Sequence, residues 1–542
     1  MRITNKIIQR NNLTNINTNK IYQDKLSTQM STQKKINRPS DDPVVAIRAL
    51  RLRSSVTEVT QYYSKNIPDA ESWLNVTEGA LNNLSKVITN MIEQCTKGAN
   101  GDLKNSDRQI ILEQLKALRD EVYSTGDADY AGRYVFTGYR TDTSLAFEEE
   151  ETKKYNITEQ LDSTALDLVT KVNTGKLLDW NTSNYDGADM DTLDENAISS
   201  VDCYRIRLAY GDCYSGADAA PSISFKQKKP LLDANGNVQT DADGNTLYET
   251  DANGNPVYET VTWPSADGSN AIMIKHSYED PYTMAANDKD ALIYVPETGE
   301  LLMGSNRYDT LSSVKDDVAT AADESKINIT YQKESWKKGD LRPEHYFYCE
   351  SDGIQYNESY LGDNPERQVI EYDVGFNQTI QVNSTADECF QHSIGREVDD
   401  LVNSMQNVID IENIKTKIEK ALETATGAEA EKLQTQLTAA EKAYSLAKDK
   451  SQKLYEAGIT AFQNHLDATN LSITNCGTRS SKLSLVKNRM QNQKTTFETL
   501  KSENEDADIT EVAIQLKSAE LTYNAALMAT SKVVQTTLLN YL

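Results

Sequence analysis

From Ile67 onward, apolar or small residues recur at intervals of three and four: Ile67, Ala70, Leu74, Thr77, Leu81, Leu84, Ile88, Met91 and Cys95. With 3.6 residues per turn, this spacing holds one seam of a helix toward a partner helix. After a polar break at 97–102, a second stripe reads Ile111, Leu115, Leu118 and Val122, with Ser106 and Asp107 as its expected N-caps. The other end of the chain carries matching stripes. One runs Ile459, Phe462, Leu466, Thr469, Ile473, Cys476, then shifts phase to Leu483, Val486, Met490, Phe497 and Leu500. Gly477 lies inside it and is expected to weaken the helix locally. The last stripe is Ile509, Val512, Leu516, Ala519, Tyr523, Ala526, Thr530 and Val533, and residues 504–508 offer acidic and N-capping side chains before it. Matching seams at the two ends predict one mixed bundle with the first and last helices side by side.

Proline separates these ends from the middle. Residues 1–140 contain only Pro39, Pro43 and Pro68, and residues 394–542 contain none. Proline is costly inside helices, so the ends read as helical. Residues 141–393 hold most of the Gly, Pro, Trp and Tyr and read as strands and turns. Three domains are therefore expected: 1–140, 141–393 and 394–542. Within the last, the Ala/Glu/Lys/Gln/Thr-rich stretch 411–455 reads as an exposed helical hairpin turning near Gly427, with one continuous long helix as the alternative. In the middle, DANGN at 233–237, DADGN at 241–245 and DANGN at 251–255 alternate with short strand-like runs. Asp or Asn before Gly suits hairpin turns. The rival is a calcium loop, but alignment around Gly254 puts Thr260 where the bidentate Glu belongs. The predicted fold class is mainly α with a β-rich insertion: an elongated coiled-coil or helical bundle formed by both termini, plus a central β domain.

Charge narrows the function. The net charge is −26, and no long Lys/Arg run appears. Nucleic acid and anionic membrane surfaces are thus poor partners. The first residues are polar and Asn-rich, without the apolar core of a cleaved signal, and no stretch approaches the ~18 apolar residues of a membrane span. Hydrophobic residues are 38%, enough for cores but for thin ones. The six Cys lack any CxxC; Cys203 and Cys213 are near enough in sequence to bridge, or are small buried hydrophobes. His276, His345, His392 and His465 form no HExxH, and no GxSxG, phosphate-binding GxxxxGK[ST] or GxGxxG is present. Paired carboxylates such as Asp399-Asp400 read as a solvated face. No catalytic, cofactor or metal residues are assigned, and the chain is not expected to be an enzyme.

Several motifs carry a resemblance. Residues 36–43 read INRPSDDP, residues 70–81 contain AESWL and TEGAL, residues 132–138 read GRYVFTG, and the C-terminal part contains DADI at 506–509 and ends in LLNYL. Over roughly 1–147 and 460–542 the chain resembles the flagellar hook-associated protein 3 family, hook–filament junction proteins related to bacterial flagellin. The central part matches no motif of that family. The resemblance implies a helical polymerisation core made from both ends, with the insertion projecting outward. It implies export through the flagellar type III apparatus without signal cleavage, to an extracellular position on the flagellum. The implied partners are hook-associated protein 1, flagellin, further copies of the same chain in a ring, and a flagellar export chaperone. Rival readings are a minor flagellin that builds filament itself, and an adhesin-like binding module in the insertion.

The residues agree with this. The first helix carries Ile3, Ile7, Leu13 and Ile16 at irregular spacing, and the last ends in Val533, Leu538, Leu539 and Leu542. Such helices are marginal alone and should fray until a neighbour covers them. These residues are the candidate subunit contacts. The alternative is a closed monomer in which they cover each other. Arg38, Pro39, Ser40, Asp41, Asp42 and Pro43 read first as a structural turn, with Ser40 and Asp41 capping the next helix.

Overall fold

The computed structural model describes residues 5–187, 190–216, 219–233, 238–241, 246–265, 270–316, 326–361 and 366–535. Its helices are α1 (Asn5–Thr32), α2 (Pro43–Gln61), α3 (Ile67–Gly98), α4 (Asn105–Gly126), α5 (Pro281–Asn287), α6 (Ser305–Asp316), α7 (Ala386–Cys389), α8 (Ser393–Leu422), α9 (Ala428–Glu505) and α10 (Ile509–Gln535). The strands are β1 (Asp129–Tyr130), β2 (Arg133–Tyr134), β3 (Glu151–Leu161), β4 (Leu166–Asn173), β5 (Ser199–Arg207), β6 (Ser222–Lys228), β7 (Tyr258–Trp263) and β8 (Met273–Ile274). They continue as β9 (Leu292–Val295), β10 (Glu300–Met303), β11 (Ile327–Trp336), β12 (Tyr348–Ser351), β13 (Ile354–Tyr356), β14 (Glu371–Gly375) and β15 (Gln378–Gln381). The chain is therefore mainly helical at both ends with strands between. It forms two compact units: one of residues 1–71, 371–380 and 479–542, the other of 72–370 and 381–478.

In the larger unit, α3 and α9 run antiparallel. Cys476 lies on the Leu74 carbonyl, Gly458 near Cys95, and Gly98 against the Tyr455 ring. A Cβ at Gly98 would stand 2.2 Å from that ring, so the close approach requires glycine. Every residue of the α3 stripe is at most 1% exposed. Phe462, Thr469 and Cys476 of the α9 stripe are buried as expected, whereas Ile459, Leu466 and Ile473 flank the seam and the residues just before them, Gly458, His465 and Ser472, are buried in their place along with Tyr455. Polar and small side chains occupy buried positions because His465 bonds Glu397 at 3.0 Å and Thr469 bonds the His465 carbonyl. Gly477 does not interrupt α9.

Helices α4 and α8 also pair antiparallel, through Arg119–Asp399 at 2.7 Å, Arg108–Glu412, and the Tyr123 hydroxyl accepting from the Gly395 amide at 2.9 Å. The cap of α4 is Lys104, with no side-chain bond to the helix, so Ser106 and Asp107 fall in its first turn rather than capping it. Helices α8 and α9 meet at 423–427, where Gly427 takes φ +65°. This hairpin is not exposed as the sequence suggested. Ile414, Ile418, Leu433 and Ala440 share a buried cluster with Leu177, Trp180 and Leu193 of the middle region, and Gln436 accepts from the Trp180 indole at 2.9 Å.

Two sheets fill the rest of this unit, with strand orders β4-β5-β10-β9-β8 and β13-β12-β3-β11-β6-β7. Pairing is antiparallel except between β8 and β9. Alternation explains β11: Ile327, Ile329, Tyr331 and Lys333 point inward while their neighbours are half-buried. The expected Asp399-Asp400 solvated pair is instead structural, because Asp400 accepts from Arg205 and Arg207 and Asp399 from Arg119. Cys203 and Cys213 are buried free thiols that donate to the Tyr204 and Tyr210 carbonyls, with no bridge between them.

Of the three Asp/Asn-Gly segments, 234–237 and 242–245 lie outside the described residues, but bridges Leu232–Val238 and Thr240–Thr246 flank them. In the third, the Asp251 carboxylate accepts from the Asn253 and Asn255 amides, and Gly254 takes φ +86°. The carboxylate holds a turn, as the hairpin reading expects.

Candidate assembly surface

The unit built from the chain ends begins with α1 and α10 lying together. Leu26 of α1 is buried with Val512 and Ala519 of α10, and Ala507 and Leu516 pack against them. The Tyr22 hydroxyl reaches Gln515 at 3.3 Å. So the two helices do cover each other along one stripe, as the closed-monomer alternative required. A second set of side chains stays uncovered: Ile21 is 71% exposed, Ile514 66%, Leu521 67% and Met528 70%. Of the predicted contact residues, Ile7 and Leu13 are exposed and Ile16 is half-buried. Val533 falls in α10 but its side chain, like Ile3, Leu538, Leu539 and Leu542, lies outside the described residues. Val44, Ile47 and Leu50 of α2 add further exposed apolar positions.

The segment between α1 and α2 is a tied turn. The Asp41 carboxylate accepts from the Asn37 and Arg38 amides, which holds its pKa below the usual value. Asp42, not Ser40 or Asp41, caps α2 by accepting from the Val44 and Val45 amides, and Pro43 opens the helix. The reason is positional: a cap must sit just ahead of the first helical residue, and Pro43 takes that first position, where a missing N–H costs nothing. Arg38, Pro39, Ser40 and Asp41 are exposed.

The same turn is clasped to the α9–α10 elbow. The Lys35 amide donates to the Glu505 carbonyl at 2.7 Å and the Ala507 amide to the Gln33 carbonyl at 2.9 Å. Arg53 holds the Glu505 carboxylate with two bonds, 2.6 and 2.8 Å, and the Glu505 side chain is 2% exposed. Arg53's hydrogen bonds hold Glu505 below the ordinary carboxylate range, and those of Lys34 do the same for Asp506 at 2.5 Å. At the far end of the elbow, Asp508 caps α10 through the Thr510 and Glu511 amides, in line with the sequence reading. The Arg53–Glu505 pair was missed because 452 residues separate its members. No local pattern marks such a pair.

A further tie joins this unit. Strands β14 and β15, which the sequence reading leaves with the middle region, pack on a π-helical turn at Tyr62–Asn66. Asn66 donates to the Asp373 carbonyl at 2.8 Å, Tyr372 to Asp69 at 2.6 Å, and the Tyr62 and Phe376 rings meet edge-on at 5.8 Å.

Among the described residues no group of three or more His, Cys, Asp or Glu is placed to hold a metal, and no helix is long and apolar enough to cross a membrane. What the chain ends offer is an apolar surface on two paired helices, fixed by a polar clasp. Comparison with known proteins gives that surface a context. Residues 3–141 match the bacterial flagellin N-terminal helical region. The chain is 27% identical over 251 residues to flagellar hook-associated protein 3 of Escherichia coli K12, covering 44% of this chain and 77% of that protein.

The chain is thus similar to flagellar hook-associated protein 3.

The corresponding protein of Salmonella typhimurium is 29% identical over 169 residues, covering 30% of this chain and 52% of its own length. A flagellin of Clostridium tyrobutyricum is 27% identical over 122 residues, 22% of this chain and 32% of that one. Among solved structures, hook-associated protein 3 of Legionella pneumophila aligns over 83% of this chain and 98% of its own, at 11% identity and a TM-score of 0.29.

Proposed function

We propose that this chain is a structural subunit of the bacterial flagellum that joins the hook, through hook-associated protein 1, to the flagellin filament. The observation that carries this reading is the surface of the paired end helices. Leu26, Val512 and Ala519 bury one stripe, while Ile21, Ile514, Leu521 and Met528 remain exposed. Isolated monomers rarely keep so many large apolar side chains on one helix pair unless another surface covers them. Adjoining copies in a ring, hook-associated protein 1 on one side and flagellin on the other are the covering surfaces in this reading. Before secretion, an export chaperone covers the C-terminal helices instead. The chain acts outside the cell on the flagellum, is exported without cleavage of a signal, and has a mechanical rather than an enzymatic role.

The polar clasp has a part in this. Glu505, Arg53, Lys34 and Asp506 set the path of α1 relative to α10, so a helix pair of limited core keeps one register while its outer face waits for a neighbour. The RPSDDP turn at 38–43 is exposed and internally bonded, which suits a rigid contact element between subunits.

The test is made in the native host. Chains lacking residues 1–30 or 510–542 should leave hooks that carry no filament in electron micrographs, with flagellin shed to the medium. Normal filaments from both truncations sink the proposal. Purified protein that grows long filaments alone would assign it to the minor flagellins instead.

A further inference from the structure

Two cavities in the larger unit carry cationic side chains on their walls. In the larger, about 1050 Å³, three of them are paired: Lys333 donates to the Gly211 carbonyl, Lys337 to Asp212 and Arg119 to Asp399. The smaller is a cleft of about 410 Å³ between strands β4, β5 and β10 and helices α8 and α9. Here two of the carboxylates are already engaged. Glu300 accepts from Arg205 at 2.5 Å, the Tyr282 hydroxyl at 2.5 Å and Thr298 at 2.8 Å, and Asp400 accepts from Arg205 and Arg207.

Donors on the same walls are left over. Ser404 is 8% exposed and its hydroxyl has no hydrogen-bond partner, and neither does the buried Arg207 Nε. Lys450 lines the cleft from α9 and makes no hydrogen bond or ion pair with the described residues. A buried donor without a partner is destabilising, and a charged one more so. Apolar side chains complete the lining at Val169, Val172, Leu178 and Leu454. Excess donors on one side and an apolar wall on the other describe a pocket for a molecule with both an anionic group and a carbon body. The volume lies in the range of small-molecule pockets, about 300–1,000 Å³, and exceeds what a bare inorganic ion fills.

We propose that this cleft binds a small organic oxyanion of monosaccharide size, a sugar acid or a sugar phosphate, with Lys450 and Ser404 donating to its carboxylate or phosphate. Burial, and then the Lys171 charge, push the Lys450 ammonium down to about 8; Arg205 acts in the same direction, while Asp400 and Glu300 oppose it. Arg207, Glu297, Arg396 and Asp399 are the other charged groups of the lining. A bound anion favours the charged ammonium, so binding weakens as pH rises from 7 to 9.

The experiment titrates the full-length chain by calorimetry and thermal shift at fixed ionic strength. The probes are N-acetylneuraminic acid, glucose 6-phosphate, inorganic phosphate and neutral glucose. At least one charged sugar should saturate and raise Tm, while glucose should not. Lys450→Met should weaken that binding by about tenfold or more, and Ser404→Ala several-fold, with Lys450→Arg retaining part of it. Ser404→Ala removes only one oxygen, so it reports even if Lys450→Met unfolds. Saturation by neither charged sugar, undiminished binding in both variants, or inorganic phosphate binding as tightly as the sugars overturns the proposal.

Discussion

Helix α3 and helix α10 carry the same three-and-four spacing, yet they finish with opposite surfaces. The α3 stripe is at most 1% exposed throughout. Along α10, Ile509 is 45% exposed, Val512 7% and Ala519 6%, and Leu521 on another face is 67% exposed. One pattern therefore serves two ends: closing a core within the chain, and offering a surface beyond it. The difference lies in what surrounds each helix. Against α3 stand α9 with its Tyr455, and Tyr130, whose ring meets that of Trp73 on α3 itself; beside α10 lies mainly α1, a helix of irregular apolar spacing.

The two units also use buried glutamates in opposite ways. Glu505, 2% exposed, is held ionised by Arg53. Glu159, 1% exposed, accepts from the Tyr331 hydroxyl and the Ala209 amide, and burial outweighs these and the Arg396 charge to push it up to about 7. A lowered acid adds stability above its ordinary pKa of 4.5 that is lost as pH falls through the folded value. A raised acid does the reverse: stability falls as pH climbs from 4.5 toward 7, and the penalty is complete above that.

Four variants test these contrasts. The four tryptophans, 73, 180, 263 and 336, all belong to the larger unit, so their fluorescence follows that unit by itself. Ile88→Ala should cost it about 2–5 kcal/mol in urea titrations, since Ile88 is 0% exposed. A loss below 1 kcal/mol would show the α3 core to be loose. Glu159→Gln should raise stability at pH 8 by about 2–3 kcal/mol and change little at pH 4.5. Glu505→Gln should instead lower protection from amide exchange around the elbow at pH 8. Equal pH profiles for the two variants would remove the contrast. The smallest effect is expected for Leu521→Ala, within about 0.5 kcal/mol for the isolated chain. Its consequence should appear only in assembly, as fewer filamented hooks; a stability loss comparable to Ile88→Ala would mean that α10 is core after all.

Much of the helical part was readable in advance. The α3 seam, the break at Pro39–Pro43, the cap at Asp508 and the turn at Gly427 all follow from local rules of periodicity, proline and capping. The misses share another cause. Half of the α9 seam was read one position off, at Leu466 and Ile473, because His465 and Ser472 are polar, and only their partners, Glu397 and the Ala468 carbonyl, make them fit for burial. Asp399-Asp400 looked solvated because Arg119, Arg205 and Arg207 are remote in sequence. The hairpin at 411–455 looked exposed because its charged residues are visible in the sequence, while the Trp180 cluster that covers its other face is not.

By itself, then, the sequence determined which stretches are helical, the buried seam of α3 and the turn chemistry between strands, since these depend on neighbours within a few residues. Only the tertiary structure decided which seams close and which stay open, which carboxylates are ionised in the interior, and where unpaired donors gather into a cleft. Those outcomes depend on groups hundreds of residues apart sharing a desolvated space, and the free energy of burying a charge or an apolar face is set by that company rather than by the residue alone.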